Sequence, residues 1–236
     1  MKKILLEIKN LRVESQGKEI LKGVDLQIKN GEFQVLLGPN GSGKTVLSQT
    51  IFGNPKYKVT EGKILFEGKN IVKFSPEKRI KLGMALAWQS PPKIRGVKLS
   101  QLLERISKKK VEIEEGKSLL EREVNFDLSG GEKKISELLQ VLVLNPRFVI
   151  FDEIDSGLDI KKLEKVAKII KKEFIEKKVS VLLITHRGEI LNFLKADLVN
   201  VMVDGKIVCK SKNFEKVLKT IKKYGYEKCK ECFKKI

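Results

Sequence analysis

The stretch "EFQVLLGPNGSGKTVLSQTIFG", Glu32 to Gly53, constrains this chain more than any other part of it. An apolar run stops at a glycine-rich loop, and the loop opens at once into a helical pattern. The loop itself, Gly38-Pro39-Asn40-Gly41-Ser42-Gly43-Lys44-Thr45, fits G-x-x-x-x-G-K-[ST]. That spacing makes mechanical sense where a strand delivers the loop to a helix N-terminus, because exposed N–H groups and the positive end of the helix then face one point. Glycines let the backbone wrap phosphate oxygens, Lys44 reaches the outer phosphates, and the Thr45 hydroxyl takes one position on Mg²⁺.

The flanking patterns predict the rest of the architecture. Residues 1 to 37 alternate as strands, in "KILLEIKNLRVES" and "EILKGVDLQI", with a turn at Asn30-Gly31, and "VTEGKILFEGKN" reads as a further hairpin. A short helix ("SPEKRIKLG"), a strand ("MALAW") and a break at Ser90-Pro91-Pro92 follow. From Leu99 to Glu123 the pattern is helical and predicts a small lobe. The last third alternates strand and helix: "FVIFDE", "IKKLEKVAKII", "VSVLLIT", "RGEILNFL", "LVNVMVDGKIV", "FEKVLKTIKKYG". Such alternation calls for a mostly parallel sheet flanked by helices. The expectation is an α/β fold over residues 1–236 as one domain, with an N-terminal antiparallel β part and a helical subdomain inserted at about residues 90–128.

Chemistry concentrates where predicted strands end. The strand Phe148 to Phe151 delivers Asp152 and Glu153, the first suited to holding Mg²⁺ through water and the second to polarising a water for in-line attack. His186, the only histidine, closes "VSVLLIT" and can reach a terminal phosphate or the attacking water. Gln89 stands at another strand end, and its carboxamide can touch both metal and water. A second phosphate-binding grammar lies in "DLSGGEKKISELL", where Ser129, Gly130, Gly131 and Glu132 precede an amphipathic helix.

Composition excludes several classes. A net charge of +19 attracts anions, but the lysines are spread over helix faces such as "IKKLEKVAKIIKKEFIEKK" and no aromatic is interleaved for base stacking, so nucleic acid is not indicated. Three cysteines make no disulfide framework, and the lone CxxC, Cys229 and Cys232, lacks partners for a zinc site. No apolar run approaches the roughly 20 residues of a membrane span, and charges interrupt "MKKILLEIKN", so neither membrane insertion nor a signal peptide is expected. A cytoplasmic protein is the resulting expectation.

In this order, "GPNGSGKT", Gln89, "LSGGE", "VIFDE", "SGLD" and "TH" resemble the ABC-type ATPases over nearly the whole chain. The resemblance implies ATP and Mg²⁺ as cofactors, with Thr45, Gln89 and Asp152 at the metal and Glu153, His186 and Gln89 as hydrolytic residues. It also implies a head-to-tail dimer, in which Ser129 to Glu132, with Asp159 of "SGLD", complete the site on a partner's phosphate loop. Within the family, "QSPPKIRGV", "LSGGEKK", "FDEIDSGLDI" and "YGY" resemble the SufC branch, the ATPases of the SUF iron–sulfur assembly system, which implies soluble SufB-like or SufD-like scaffold partners. "KKISELLQ" and "THRGEI" depart from that branch. An ABC membrane transporter's ATP-binding subunit is the alternative, and a DNA-associated ABC ATPase is a further one, set against by the missing coiled-coil heptads. Many members stack adenine on an aromatic of the N-terminal strands, whereas Phe33 is the first aromatic here.

Overall fold

The computed structural model describes residues 3–89, 91–107 and 114–229. Strands β1 (Ile4–Ser15) and β2 (Lys18–Lys29) form an antiparallel hairpin. Its tight turn suits Gln16-Gly17, because both residues adopt positive φ. Strand β3 (Phe33–Leu37) leads into helix α1 (Lys44–Phe52). The next hairpin pairs β4 (Lys58–Phe66) with β5 (Lys69–Asn70). Helix α2 (Pro76–Lys81) and strand β6 (Met84–Ala87) follow, so the predicted strand "MALAW" ends one residue early.

The expected helical stretch from Leu99 to Glu123 is only partly helical. Helix α3 spans Leu99–Ile106 and a 3₁₀ segment spans Glu114–Leu119, while residues 108–113 lie outside the described set. Glu123 instead forms an antiparallel bridge with Lys98. The apolar positions that read as one helix are shared between these pieces, since Leu99, Leu103, Leu119 and Val124 all enter the same core.

The remainder alternates as expected: α4 (Gly130–Val143), β7 (Phe148–Asp152), α5 (Ile160–Ile170) with a π turn over Lys171–Ile175, and β8 (Ser180–Thr185). The helix expected in "RGEILNFL" is reduced to a 3₁₀ turn, Glu189–Asn192. "LVNVMVDGKIV" folds as two strands, β9 (Leu198–Val203) and β10 (Lys206–Ser211), and α6 (Phe214–Tyr224) ends the described elements.

Two sheets result. One is antiparallel, in the order β2-β1-β4-β5. The other runs β10-β9-β3-β8-β7-β6 and is parallel except for β10. Helices cover one face of the parallel sheet, and α1 with the antiparallel sheet covers the other. Successive residues therefore enter different cores: Val149 and Phe151 join the helical side, whereas Phe148 and Ile150 join the opposite side. This explains the unbroken apolar strands, because both faces are buried and no solvent side remains to alternate with. The polar exceptions, Gln34 and Asn200, pair with each other, with Asn200 Nδ2 donating to Gln34 Oε1 at 2.9 Å.

One buried charge holds this arrangement at the end of α1. Arg79 is 1% exposed, and its guanidinium donates to the carbonyls of Thr50, Ile51, Val72 and Phe74 at 2.6–3.0 Å. The first two are carbonyls of the last turn of α1, which have few intrahelical donors left. Burial pulls the Arg79 pKa down to about 10. Arg79→Met should cost about 3 kcal/mol, the loss from several carbonyls left buried without donors. Urea denaturation followed by circular dichroism measures it, and a loss under about 0.5 kcal/mol would assign the bonds no net role.

Candidate functional site

The phosphate loop is held flush against its neighbours. A Cβ on Gly38 would lie 2.3 Å from the Met202 carbonyl oxygen, so only glycine permits this approach of the loop to β9. Gly43 sits at φ 103, the N-cap position of α1, a left-handed conformation that glycine adopts without steric cost. The β9–β10 turn braces the far side: Gly205 N–H donates to the Ser42 carbonyl, and Lys22 N–H donates to the Gly205 carbonyl, both at 2.9 Å. Lys44 folds over the loop, with Nζ donating to the Gly38 and Pro39 carbonyls at 2.9 and 2.8 Å. Burial lowers its pKa, while Glu153 and Asp152 favour its charged form. Asn40 and Gly41 remain exposed at the tip.

Asp152 ends β7 directly below this loop. Ser48 Oγ donates to Asp152 Oδ2 at 2.6 Å, whereas Asp152 Oδ1 is buried with no hydrogen-bond partner among the described residues. Burial pushes the Asp152 carboxyl up, against hydrogen bonds from Ser48 and the Thr45 hydroxyl. A buried carboxylate oxygen beside a threonine hydroxyl suits a hard divalent cation that also takes phosphate oxygens. Thr45 and Asp152 would hold Mg²⁺, which there would neutralise phosphate charge.

Three residues predicted from separate strand ends meet beside it. Gln89 Nε2 donates to Glu153 Oε2 at 2.7 Å, and His186 Nδ1 lies 3.3 Å from Glu153 Oε1. His186 Nδ1 has no hydrogen-bond partner among the described residues. Glu153 adopts φ 52, a left-handed conformation that costs energy for a non-glycine residue. Its N–H donates to the Ile184 carbonyl at 2.9 Å, which ties the strained residue to β8. A cleft of about 410 Å³ joins these parts, lined by Ile20, Asn40, Gly43, Lys44, Gln89 and Glu153 among others.

Ser129, Gly130, Gly131, Glu132 and Asp159 are absent from that lining. Ser129 instead caps α4 in a reciprocal box: Ser129 N–H donates to Glu132 Oε2 at 2.7 Å and Glu132 N–H to Ser129 Oγ at 3.4 Å. Glu132 also pairs with Arg122 at 2.7 Å. Gly130 faces the Gly157 carbonyl, and Asp159 Oδ1 caps α5 by accepting from Lys162 N–H at 2.9 Å. In one chain these residues bring two capped helix starts together, apart from the phosphate loop.

Three charged residues escape the sequence reading. Lys134, 6% exposed, donates from Nζ to the carbonyls of Glu153 at 3.0 Å and Gln89 at 3.2 Å, and burial lowers its pKa. Glu137 accepts from Trp88 N–H at 3.2 Å, and burial raises its pKa. Asp155 accepts from the Thr185 hydroxyl at 2.7 Å, and burial raises its pKa too. A signal existed for the first: Lys134 lies four residues before Leu138, on the apolar face of α4. Of the CxxC pair, Cys229 is buried and Cys232 lies outside the described residues.

Comparison with known proteins agrees with this geometry. The ABC transporter family profile matches residues 21–156, more than half of the chain. A probable ABC transporter ATP-binding protein of Streptococcus pyogenes is 43% identical over 224 residues, which cover 86% of this chain and 87% of the relative. A nucleotide-free ATP-binding cassette from an ABC transporter superposes with a TM-score of 0.79 at 23% identity, over 96% of this chain and 98% of that one. A bacterial ABC transporter cassette solved as a dimer gives 0.74 at 22% identity, over 88% and 98%. The chain belongs to the ABC ATPase family. It is an ATP-binding, ATP-hydrolysing ABC subunit with the cassette fold. No helix among the described residues is long and apolar enough to cross a membrane.

The wall of the cleft near Ile20 and Val46 is aliphatic, and its described lining contains no aromatic ring to stack on a base. ATP and GTP should bind within about tenfold of each other, roughly 1.4 kcal/mol. Isothermal calorimetry decides it, and a preference for ATP beyond about a hundredfold would require a base-reading contact elsewhere.

Proposed function

We propose that this ATPase drives conformational change in an iron–sulfur cluster assembly scaffold of the SufB or SufD kind. The observation that carries the proposal is the segment after Gln89, "QSPPKIRGV", whose sequence resembles the SufC branch and whose described part presents Pro92, Lys93, Arg95 and Gly96 to solvent. Its backbone is not loose: Ile94 N–H donates to the Val124 carbonyl and Val124 N–H to the Val97 carbonyl, both at 3.0 Å. A partner gripping this segment pulls on Gln89 at one end and, through Val124 and Asn125, on Glu137 of α4 at the other. Asn125 Nδ2 donates to the Pro92 carbonyl at 3.0 Å, which closes that linkage.

The hydrolytic chemistry follows from the site. Lys44 and the loop amides hold the triphosphate, and Thr45 and Asp152 would hold Mg²⁺, which would supply charge neutralisation there. Glu153 polarises the attacking water, Gln89 and His186 orient it, and His186 also reaches the terminal phosphate. The capped corner at Ser129 to Gly131, with Asp159 nearby, completes the partner chain's site in a head-to-tail dimer. A dimeric relative of the same fold supports that reading. Glu153→Gln should keep ATP bound and let dimer accumulate, whereas adding Ser129→Arg should preserve ATP binding and abolish the dimer. Light scattering beside a nucleotide titration separates these, and a double variant that dimerises as well as Glu153→Gln alone overturns the shared site.

The relatives' description as transporter ATP-binding proteins favours a second reading, in which the same segment grips a membrane-embedded subunit. Affinity purification from native cells discriminates. Soluble scaffold proteins should co-purify, and Lys93→Glu with Arg95→Glu should reduce their recovery about tenfold. Recovery of an integral membrane protein alone would reject the scaffold reading.

A further inference from the structure

Glu153 and His186 come from different strand ends, and their 3.3 Å contact depends on where the turn after β8 holds the imidazole. Most of that turn is fixed from within. The Thr185 hydroxyl accepts from Arg187 N–H at 3.2 Å and Gly188 N–H at 3.1 Å while donating to Asp155. The carbonyl of His186 is held differently, by a residue forty positions away in the chain: the Tyr226 hydroxyl donates to it at 2.6 Å. Nor is this an isolated surface contact. Tyr226 packs against the helical-side core, and Leu218 of α6 would lie 3.3 Å from a Cβ on Gly188, as would Leu37 of β3. The segment after α6 thus clasps the histidine turn onto the end of β3, where the phosphate loop begins.

The phenol is suited to donating. Burial and the nearby Cys229 push its pKa up to about 12, with a backbone hydrogen bond from Gly38 pulling the other way, so the hydroxyl keeps its proton throughout the neutral range.

We propose that Tyr226 is a positioning residue for ATP hydrolysis, whose phenol anchors the His186 peptide to the segment after α6 and so fixes the reach of the imidazole toward Glu153 and the terminal phosphate. The inference rests on the reading of His186 as a hydrolytic residue. Tyr226 is not among the residues lining the cleft; it acts by removing one rotational freedom from the peptide that carries His186. Small displacements of a reacting group cost rate far more than they cost ground-state binding.

Tyr226→Phe keeps the ring and its packing and deletes only the hydroxyl. Its kcat for phosphate release from saturating ATP-Mg should fall about tenfold, or about 1.4 kcal/mol, with ATP affinity within about threefold of the parent. The distinguishing measurement is the same substitution in a His186→Ala background. There it should lower kcat by less than about twofold, because the group being positioned is gone. Tyr224→Phe, an exposed neighbour outside the site, serves as the control and should match the parent. An equal loss in both backgrounds would make Tyr226 merely structural and overturn the inference. Full kcat in Tyr226→Phe beside a clear loss in His186→Ala would overturn it too, while leaving the site reading intact. Full kcat in His186→Ala would instead remove the reading on which it rests, and the inference with it.

Discussion

The structure depends on a parallel sheet buried on both faces. Side chains of β3, β6, β7 and β8 have apolar neighbours above and below, so a charged group within these strands would lose water on both sides. The carboxyl ends of the strands are where backbone N–H groups, helix termini and solvent all become available. Gln89, Asp152, Glu153, His186 and the phosphate loop each lie at or just beyond the carboxyl end of an apolar strand. Their convergence is a geometric result of the strand order, because β3 lies beside β8, β8 beside β7 and β7 beside β6.

At that edge the molecule concentrates charge that it only partly compensates. Lys44 and Lys134 stand among Asp152, Glu153, Asp155 and Glu137, and burial moves Lys44, Lys134, Asp152, Asp155 and Glu137 toward their neutral forms. Removing any one member leaves others buried and unpaired, which makes the network costly to edit. Several polar atoms, Ser42 Oγ, Asp152 Oδ1 and His186 Nδ1 among them, are buried without hydrogen-bond partners among the described residues. A metal–triphosphate ligand supplies partners for a cluster of this composition.

Lys134 gives α4 a particular place in this network. It hangs the helix that Ser129 caps from the carbonyls of Gln89 and Glu153, so the capped corner at Ser129 is mechanically joined to the cleft although it does not line it. The linkage runs through short polar contacts at the helix, and Glu137 adds another to the backbone of Trp88. Movement of α4 therefore reaches the groups around Glu153 without crossing the sheet.

Local pattern by itself determined the strand–loop–helix unit at Gly38, the alternation of the last third, and which strand ends carry chemistry. Those signals are short in range: a glycine spacing, an apolar run, a Ser-Gly-Gly-Glu step into an amphipathic helix. Pattern could not decide how apolar positions between Leu99 and Glu123 are shared, because a helix and a 3₁₀ turn can both present Leu99, Leu103 and Leu119 to one core. It could not say that Asp159 caps α5, nor which carbonyls Lys134 and Arg79 serve, since each follows another lysine and its facing carbonyls come from distant parts of the chain. Tertiary structure alone set Tyr226 against His186. A hydrogen bond between residues so distant in sequence leaves no periodicity, because it exists only once the sheet and α6 have been brought together.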